Sequence, residues 1–195
     1  MKFFRLPETD EEKQRVPPKQ RLAKGFPVLT VGKTPIVNSD NWHFEVWTGR
    51  TTKSWDYEAL LALPSDEFKA DFHCVTHWSK LDVEWRGVKV QYFLDTLDLK
   101  PAEKYVLVHC YGGYTTNLLL ADLNRGFLAY ELNHEPLSPD RGGPVRLVVP
   151  HLYAWKSAKW IRGVEVLTEE KLGYWEEKGY HRRGDPWEQE RYSHP

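Results

Sequence analysis

The apolar residues of this chain fall in short runs, each cut off by proline, glycine or a polar turn, and that spacing points to many short strands rather than long helices. Residues 42–47 alternate large apolar and polar side chains, the period of a half-buried strand. Further strands are expected at 68–75, 85–90, 105–110, 128–132, 144–150 and 163–167, with a strand-like run at 25–32 and an extended piece at 51–53. Short helices fit the gaps: one capped by Ser54 and stopped by Pro64, one over 90–99, one over 118–123, and one starting at Thr168 and ending near Gly179. Residues 111–117 read as a polar loop. The fold class expected is α+β, mixed and β-rich, with short helices.

A length of 195 residues suits one real core. Residues 1–24, broken by Pro7, Pro17 and Pro18, read as an extended arm with room for a short helix over 10–15. Residues 25–167 form the domain, and 168–195 a C-terminal helix and a wrapping tail. The net charge of -1 gives no chain-wide field for nucleic acid or an acidic membrane, so neither is expected as a partner and any anion site must be local. No apolar stretch is long enough to span a bilayer, and the N-terminus turns acidic without an apolar run, so a cytoplasmic location is expected.

Chemistry concentrates at residues 71–79, where Cys74 stands among His73, Thr76, His77 and Ser79. Cys74 and Cys110 are the two cysteines, read as reduced thiols and, since each ends a strand, as neighbours on one side of one sheet. A free cysteine is often a small buried hydrophobe, but a soft thiolate also ligates metals or attacks carbon. Three roles stay open for Cys74: core residue, metal ligand, and nucleophile with His77 or His109 as base. Cys74, His77, His109 and Cys110 would make a zinc set. Downstream, Arg146 is the one charge in the apolar run 144–150 and needs a partner or a ligand if buried. Lys156, Ser157 and Lys159 follow in a short irregular segment that would suit a phosphate. The glycine-rich nucleotide loops are absent.

In order along the chain, residues 72–76 with Trp78-Ser79, then Gly113-Tyr114-Thr115-Thr116-Asn117, then 142–150 and 156–160 resemble the molybdopterin-binding domain of the sulfite oxidase family, most closely its small bacterial members that consist of the catalytic domain alone. The resemblance implies the sulfite oxidase-type fold, with molybdenum and molybdopterin as cofactors. It implies that Cys74 is the metal ligand and that Tyr114 is an active-site hydroxyl. It also implies that Arg146, Ser157, Ala158 and Lys159 contact the pterin and its phosphate, and that Cys110 and Thr30 lie along the cofactor. Arg141 is a loop candidate. The larger members carry an arginine pair shortly after the metal cysteine, whereas this chain has His77-Trp78-Ser79-Lys80, so His77, Lys80 or Lys33 would have to replace that charge. The implied activity is oxygen-atom transfer on a small oxo-acceptor or oxo-donor such as sulfite or a sulfoxide, with a separate electron-transfer partner. The alternative is a cofactor-free or zinc-binding domain that keeps the fold.

Overall fold

The computed structural model describes residues 3–193. In chain order it contains β1 (Phe4–Arg5), α1 (Asp10–Arg15), β2 (Arg21–Ala23), β3 (His43–Trp47), β4 (Thr52–Asp56), α2 (Tyr57–Leu61), β5 (Ser65–Cys74), β6 (Trp78–Lys89) and α3 (Gln91–Leu94). Then follow β7 (Tyr105–Cys110), β8 (Thr115–Leu119), α4 (Leu120–Leu123), β9 (Phe127–Leu132), β10 (Glu135–Pro136), β11 (Arg146–Val148) and β12 (Ile161–Leu167). One sheet runs β1-β2-β6-β9-β10, with β5 added on β6 and β11 on β9; the other runs β4-β3-β12-β7-β8. The chain is thus mixed and β-rich with short helices.

The alternation in residues 43–47 is the reason β3 forms: Phe44 and Val46 are fully buried while His43, Glu45 and Trp47 are half-buried. They join Val88, Leu128 and Leu147 of the first sheet with Val106, Val108 and Val164 of the second in the main core. A second apolar cluster, including Phe72, Cys74, Trp78, Trp85, Tyr153 and Trp155, packs around the other side of the β5–β6 ribbon. The candidate chemistry sits in this second cluster.

Several expectations are corrected. The segment expected as an extended arm contributes two strands to the first sheet: β1 pairs with β2, and β2 runs parallel to the start of β6 through Arg21↔Trp78 and Leu22↔Ser79. The helix at 10–15 forms because Thr9 and Glu12 make a reciprocal capping box. Asp56, not Ser54, caps α2, its carboxylate accepting from the Ala59 N–H; Ser54 is taken up by the β3–β4 ladder. The run 25–32 is irregular, and 115–119, expected as the end of the 111–117 loop and the start of the 118–123 helix, pairs with β7 as β8, so that the helix begins only at Leu120. The α-helix expected from Thr168 to Gly179 is replaced by coil and a 3-10 turn at Glu176–Lys178. Gly173 explains this, since its backbone lies so close to β8 that a Cβ would stand 2.4 Å from Thr116 Cα, while Tyr174 N–H donates to Thr115 O. Cys74 and Cys110 end strands of different sheets and both are free thiols.

Candidate active site

Cys74 is the last residue of β5, and its pairing with Trp78 closes a tight turn through Val75, Thr76 and His77. The Cys74 carbonyl accepts from the His77 N–H at 3.1 Å and from Gln20 Nε2 at 3.0 Å. These bonds fix the backbone, while Sγ lies 3.1 Å from the Thr76 hydroxyl. Burial pushes the Cys74 thiol up, opposed by the Thr76 hydroxyl, nearby backbone N–H groups and the Arg191 charge. A thiol held this way is a poor free nucleophile and ionises when a bound cation compensates the charge.

Cys74 lines a cavity of about 210 Å³ together with Thr30, Tyr114, Arg146, Ser157, Ala158 and Lys159. Phe26, Trp78, Trp155, Trp175 and Tyr180 add aromatic walls, and Arg141 a further cation. Cys110 is absent from this lining; it packs in the main core, where burial pushes its thiol far up.

β11 presents Arg146 into the cavity wall. It is buried, its guanidinium stacks 5.5 Å from the Phe72 ring and 5.4 Å from the Trp85 ring, and its Nη1 and Nη2 donate to the Arg141 and Ser157 carbonyls at 2.9 and 2.7 Å. Its Nε has no partner. Among the described residues no carboxylate pairs with Arg146, Arg141 or Lys159. Burial, then repulsion from Arg141, pushes Arg146 down to about 9. Lys159, whose Nζ donates to Asp140 O at 2.6 Å, is pushed down to about 8 by burial and by Arg146. Three cations without a counter-ion around one cavity make an anion site.

Tyr114 follows a turn in which Gly112 and Gly113 both take φ 85°, a conformation glycine adopts without strain. Its hydroxyl donates to Trp155 O at 2.8 Å, and burial followed by the Glu176 charge keeps the phenol neutral. The proton is therefore committed to the protein, and the oxygen lone pairs are what it can offer a ligand.

Other expected groups stand elsewhere. Lys156 is fully buried and turned away from the cavity, donating to Glu176 Oε1 at 2.7 Å, so it is no part of the anion cradle. His77 is exposed and faces Lys19 O, Lys80 reaches Lys24 O, and neither of these nor Lys33 lines the cavity. His109 pairs with Glu165 at 3.1 Å in the second sheet. Neither a base for Cys74 nor the zinc set is assembled, and among the described residues no group of three or more His, Cys, Asp or Glu could hold a metal ion. The expectations missed Gln20 and Arg191, because both reach Cys74 and its turn only through tertiary contact. Arg191, from the tail, donates to Val75 O at 2.6 Å and lies 4.9 Å from the Tyr153 ring. The wall of Trp155, Trp175 and Tyr180 had one signal in sequence, the nine tryptophans.

His73, beside the thiol, is buried with Nδ1 2.8 Å from Ser79 Oγ, and burial pushes it down to about 4. Between that value and the ordinary 6.5 the unfolded chain binds a proton that the native ring refuses. Native stability is therefore complete above pH 6.5 and falls as pH drops toward 4, by up to about 3 kcal/mol. Urea midpoints measured across that window should show the loss, and His73→Asn should flatten it.

A β-rich two-sheet domain whose cavity joins a buried thiol to cations without a carboxylate matches the layout expected of a sulfite oxidase-type molybdopterin-binding domain. The chain belongs to the oxidoreductase molybdopterin binding domain family, which it matches over residues 31–175. It is 41% identical to the uncharacterized oxidoreductase YuiH of Bacillus subtilis, over 98% of either chain. It is 26% identical to the mitochondrial sulfite oxidase of Drosophila melanogaster over 75% of its own length and 30% of that enzyme. The crystal structure of the sulfane dehydrogenase SoxCD from Paracoccus pantotrophus shares the fold, with a TM-score of 0.60 and 18% identity over 77% of this chain and 42% of that one. No helix among the described residues is long and apolar enough to cross a membrane.

Proposed function

We propose that this chain is a molybdenum-molybdopterin enzyme that transfers one oxygen atom between water and a small sulfur substrate, working as a sulfoxide reductase. The observation that carries this reading is one cavity holding both a soft thiol, Cys74, and the unpaired cations Arg141, Arg146 and Lys159. The fit is chemical: the orphaned Arg146 Nε and the missing carboxylates ask for an anionic ligand, and Cys74 is a soft donor for a metal whose other sulfurs come from a cofactor. Cys74 would hold the molybdenum, and Arg146, Ser157, Ala158, Lys159 and Thr30 would hold the pterin and its phosphate. The bound group supplies a two-electron centre able to exchange oxygen with a substrate. Tyr114 would accept a hydrogen bond from, or orient, whatever enters beside the thiol, with its own proton held by Trp155 O. Cys110 would support the site from the core rather than touch the cofactor.

A neutral sulfoxide is favoured because Cys74 opens onto an aromatic wall of Trp78, Trp155, Trp175 and Tyr180, and the cation whose charge reaches the thiol, Arg191, is held behind its turn by Val75 O and does not line the cavity. An aromatic wall accepts a neutral S–O compound at little desolvation cost, and a sulfite dianion at a large one. One observation favours sulfite oxidation as a second reading: Arg191 lies behind the Cys74 turn, buried, with its Nε unpartnered.

Expression in a host that makes the cofactor should give protein with molybdenum and with the fluorescence of oxidised pterin after release. Reduced viologen should then be consumed with a small sulfoxide, and ferricyanide should not be reduced with sulfite. Absence of molybdenum and pterin would sink the proposal, and the opposite substrate pattern would promote the second reading. Arg146→Gln keeps a donor and removes the charge. It should lower pterin content at a fixed cofactor supply by about tenfold or more, the equivalent of one charge-assisted hydrogen bond.

A further inference from the structure

We infer that the rim of this cavity, formed by the N-terminal segment and the Cys74 turn, is the docking surface for a small acidic electron-carrier protein. The inference rests on the oxygen-transfer reading above, which leaves electrons to be delivered from outside.

The charge is segregated in the sequence. From Lys13 to Ser39 the chain carries Lys13, Arg15, Lys19, Arg21, Lys24 and Lys33 and no Asp or Glu, although the whole protein is at -1. Arg15 is consumed by Asp71 and Asp82, and Lys13 by Asp10. The fold then gathers the remainder. Parallel pairing sets Arg21 beside Trp78, Lys19 O meets His77 Nδ1, and Lys80 Nζ reaches Lys24 O. Lys19, Arg21, Lys24, His77 and Lys80 thus form one group beside the 74–78 turn, and among the described residues none has a carboxylate partner.

This group is continuous with the mouth of the cavity. Cys74, Val75, Thr76 and Trp78 line the cavity and lead directly into His77 and Lys80; Phe26 to Val31 line it and follow directly from Lys24. Val28, Leu29 and Val31 are at once cavity wall and exposed surface, with Leu29 53% exposed, and Ile36 just beyond is 99% exposed. Large apolar side chains left in water, rimmed by charges of one sign, are the layout of a transient protein interface. The sign selects an acidic partner and speeds its encounter. A site placed on the cavity rim also keeps the transfer distance to the thiol end short.

In the balanced step a sulfoxide takes up two electrons and two protons and yields a thioether and one water. The S–O bond breaks, the oxygen leaves as water, and two molecules of the reduced carrier each lose one electron. The probe is an acidic flavodoxin, reduced with dithionite and supplied to cofactor-loaded enzyme with a sulfoxide. Flavodoxin-driven turnover should fall steeply with added salt. It should fall about tenfold or more in Lys19→Glu/Lys24→Glu, while turnover driven by reduced methyl viologen, which needs no docking, stays within about twofold. Equal loss with both donors, or no loss with either, would overturn the proposal, as would a salt-insensitive flavodoxin rate. Flotation with vesicles of phosphatidylglycerol and phosphatidylethanolamine gives the other arm: binding lost in the same variant would reassign the surface to a membrane. Failure of viologen turnover in the unaltered enzyme would instead strike the oxygen-transfer reading, so the two failures are distinguishable.

Discussion

Replacing Cys74 by Ser is expected to abolish turnover while leaving the chain folded. The side chain is buried and its backbone is held by bonds from the His77 and Gln20 N–H groups that do not involve sulfur. A serine oxygen fits the same space and the same Thr76 contact. It cannot replace a soft thiolate, because its pKa is far higher and its donor atom hard. Sulfoxide-dependent viologen oxidation should drop by about a thousandfold or more, the scale for removal of a group on which chemistry depends. Circular dichroism and the urea midpoint should stay close to those of the unaltered protein. Retained turnover would show that Cys74 is not the ligand.

The largest effect on stability is expected at Lys156. Its ammonium and the Glu176 carboxylate are both fully buried and 2.7 Å apart. Lys156 also donates to Asn117 O at 2.7 Å, Asn117 Oδ1 at 2.8 Å and Arg182 O at 2.6 Å, and Glu176 Oε1 further accepts from Thr116 Oγ1 and Trp155 Nε1. Burial pushes the lysine pKa down and the Glu176 charge opposes it. Lys156→Met would leave the buried carboxylate without a counter-charge, held only by the Thr116 and Trp155 donors, and should cost about 3–5 kcal/mol, read as a lowered urea midpoint. Lys156→Met/Glu176→Gln removes both charges and should recover part of that loss. The network ties β8, the 154–156 turn and the tail into one unit, so the single variant should also loosen Trp155, whose carbonyl holds Tyr114. A double variant no more stable than the single would show that the pair does not act as a unit.

The sequence by itself determined the strand-rich class, because alternation at 42–47 and the bounded apolar runs at 105–110, 128–132 and 163–167 are local properties that each strand carries into the fold. It also singled out Cys74 and Arg146 as chemically loaded positions, since an isolated thiol among polar neighbours and a lone charge in an apolar strand are conspicuous wherever they end up. What it left undecided was direction and distance. Lys156 and Lys159 are three residues apart, yet a 3-10 turn sends Lys156 into a buried pair with Glu176 and Lys159 to the cavity. Cys74 and Cys110 both end strands, yet sheet assignment separates them, and only Cys74 lines the cavity. Gln20 and Arg191 come from the two ends of the chain and meet at the Cys74 turn through long-range packing that leaves no periodic trace. Side-chain type was thus legible residue by residue, whereas the pairing of charges, and with it the site left open for an anion, was decided only when the tertiary structure chose which cations would find a carboxylate.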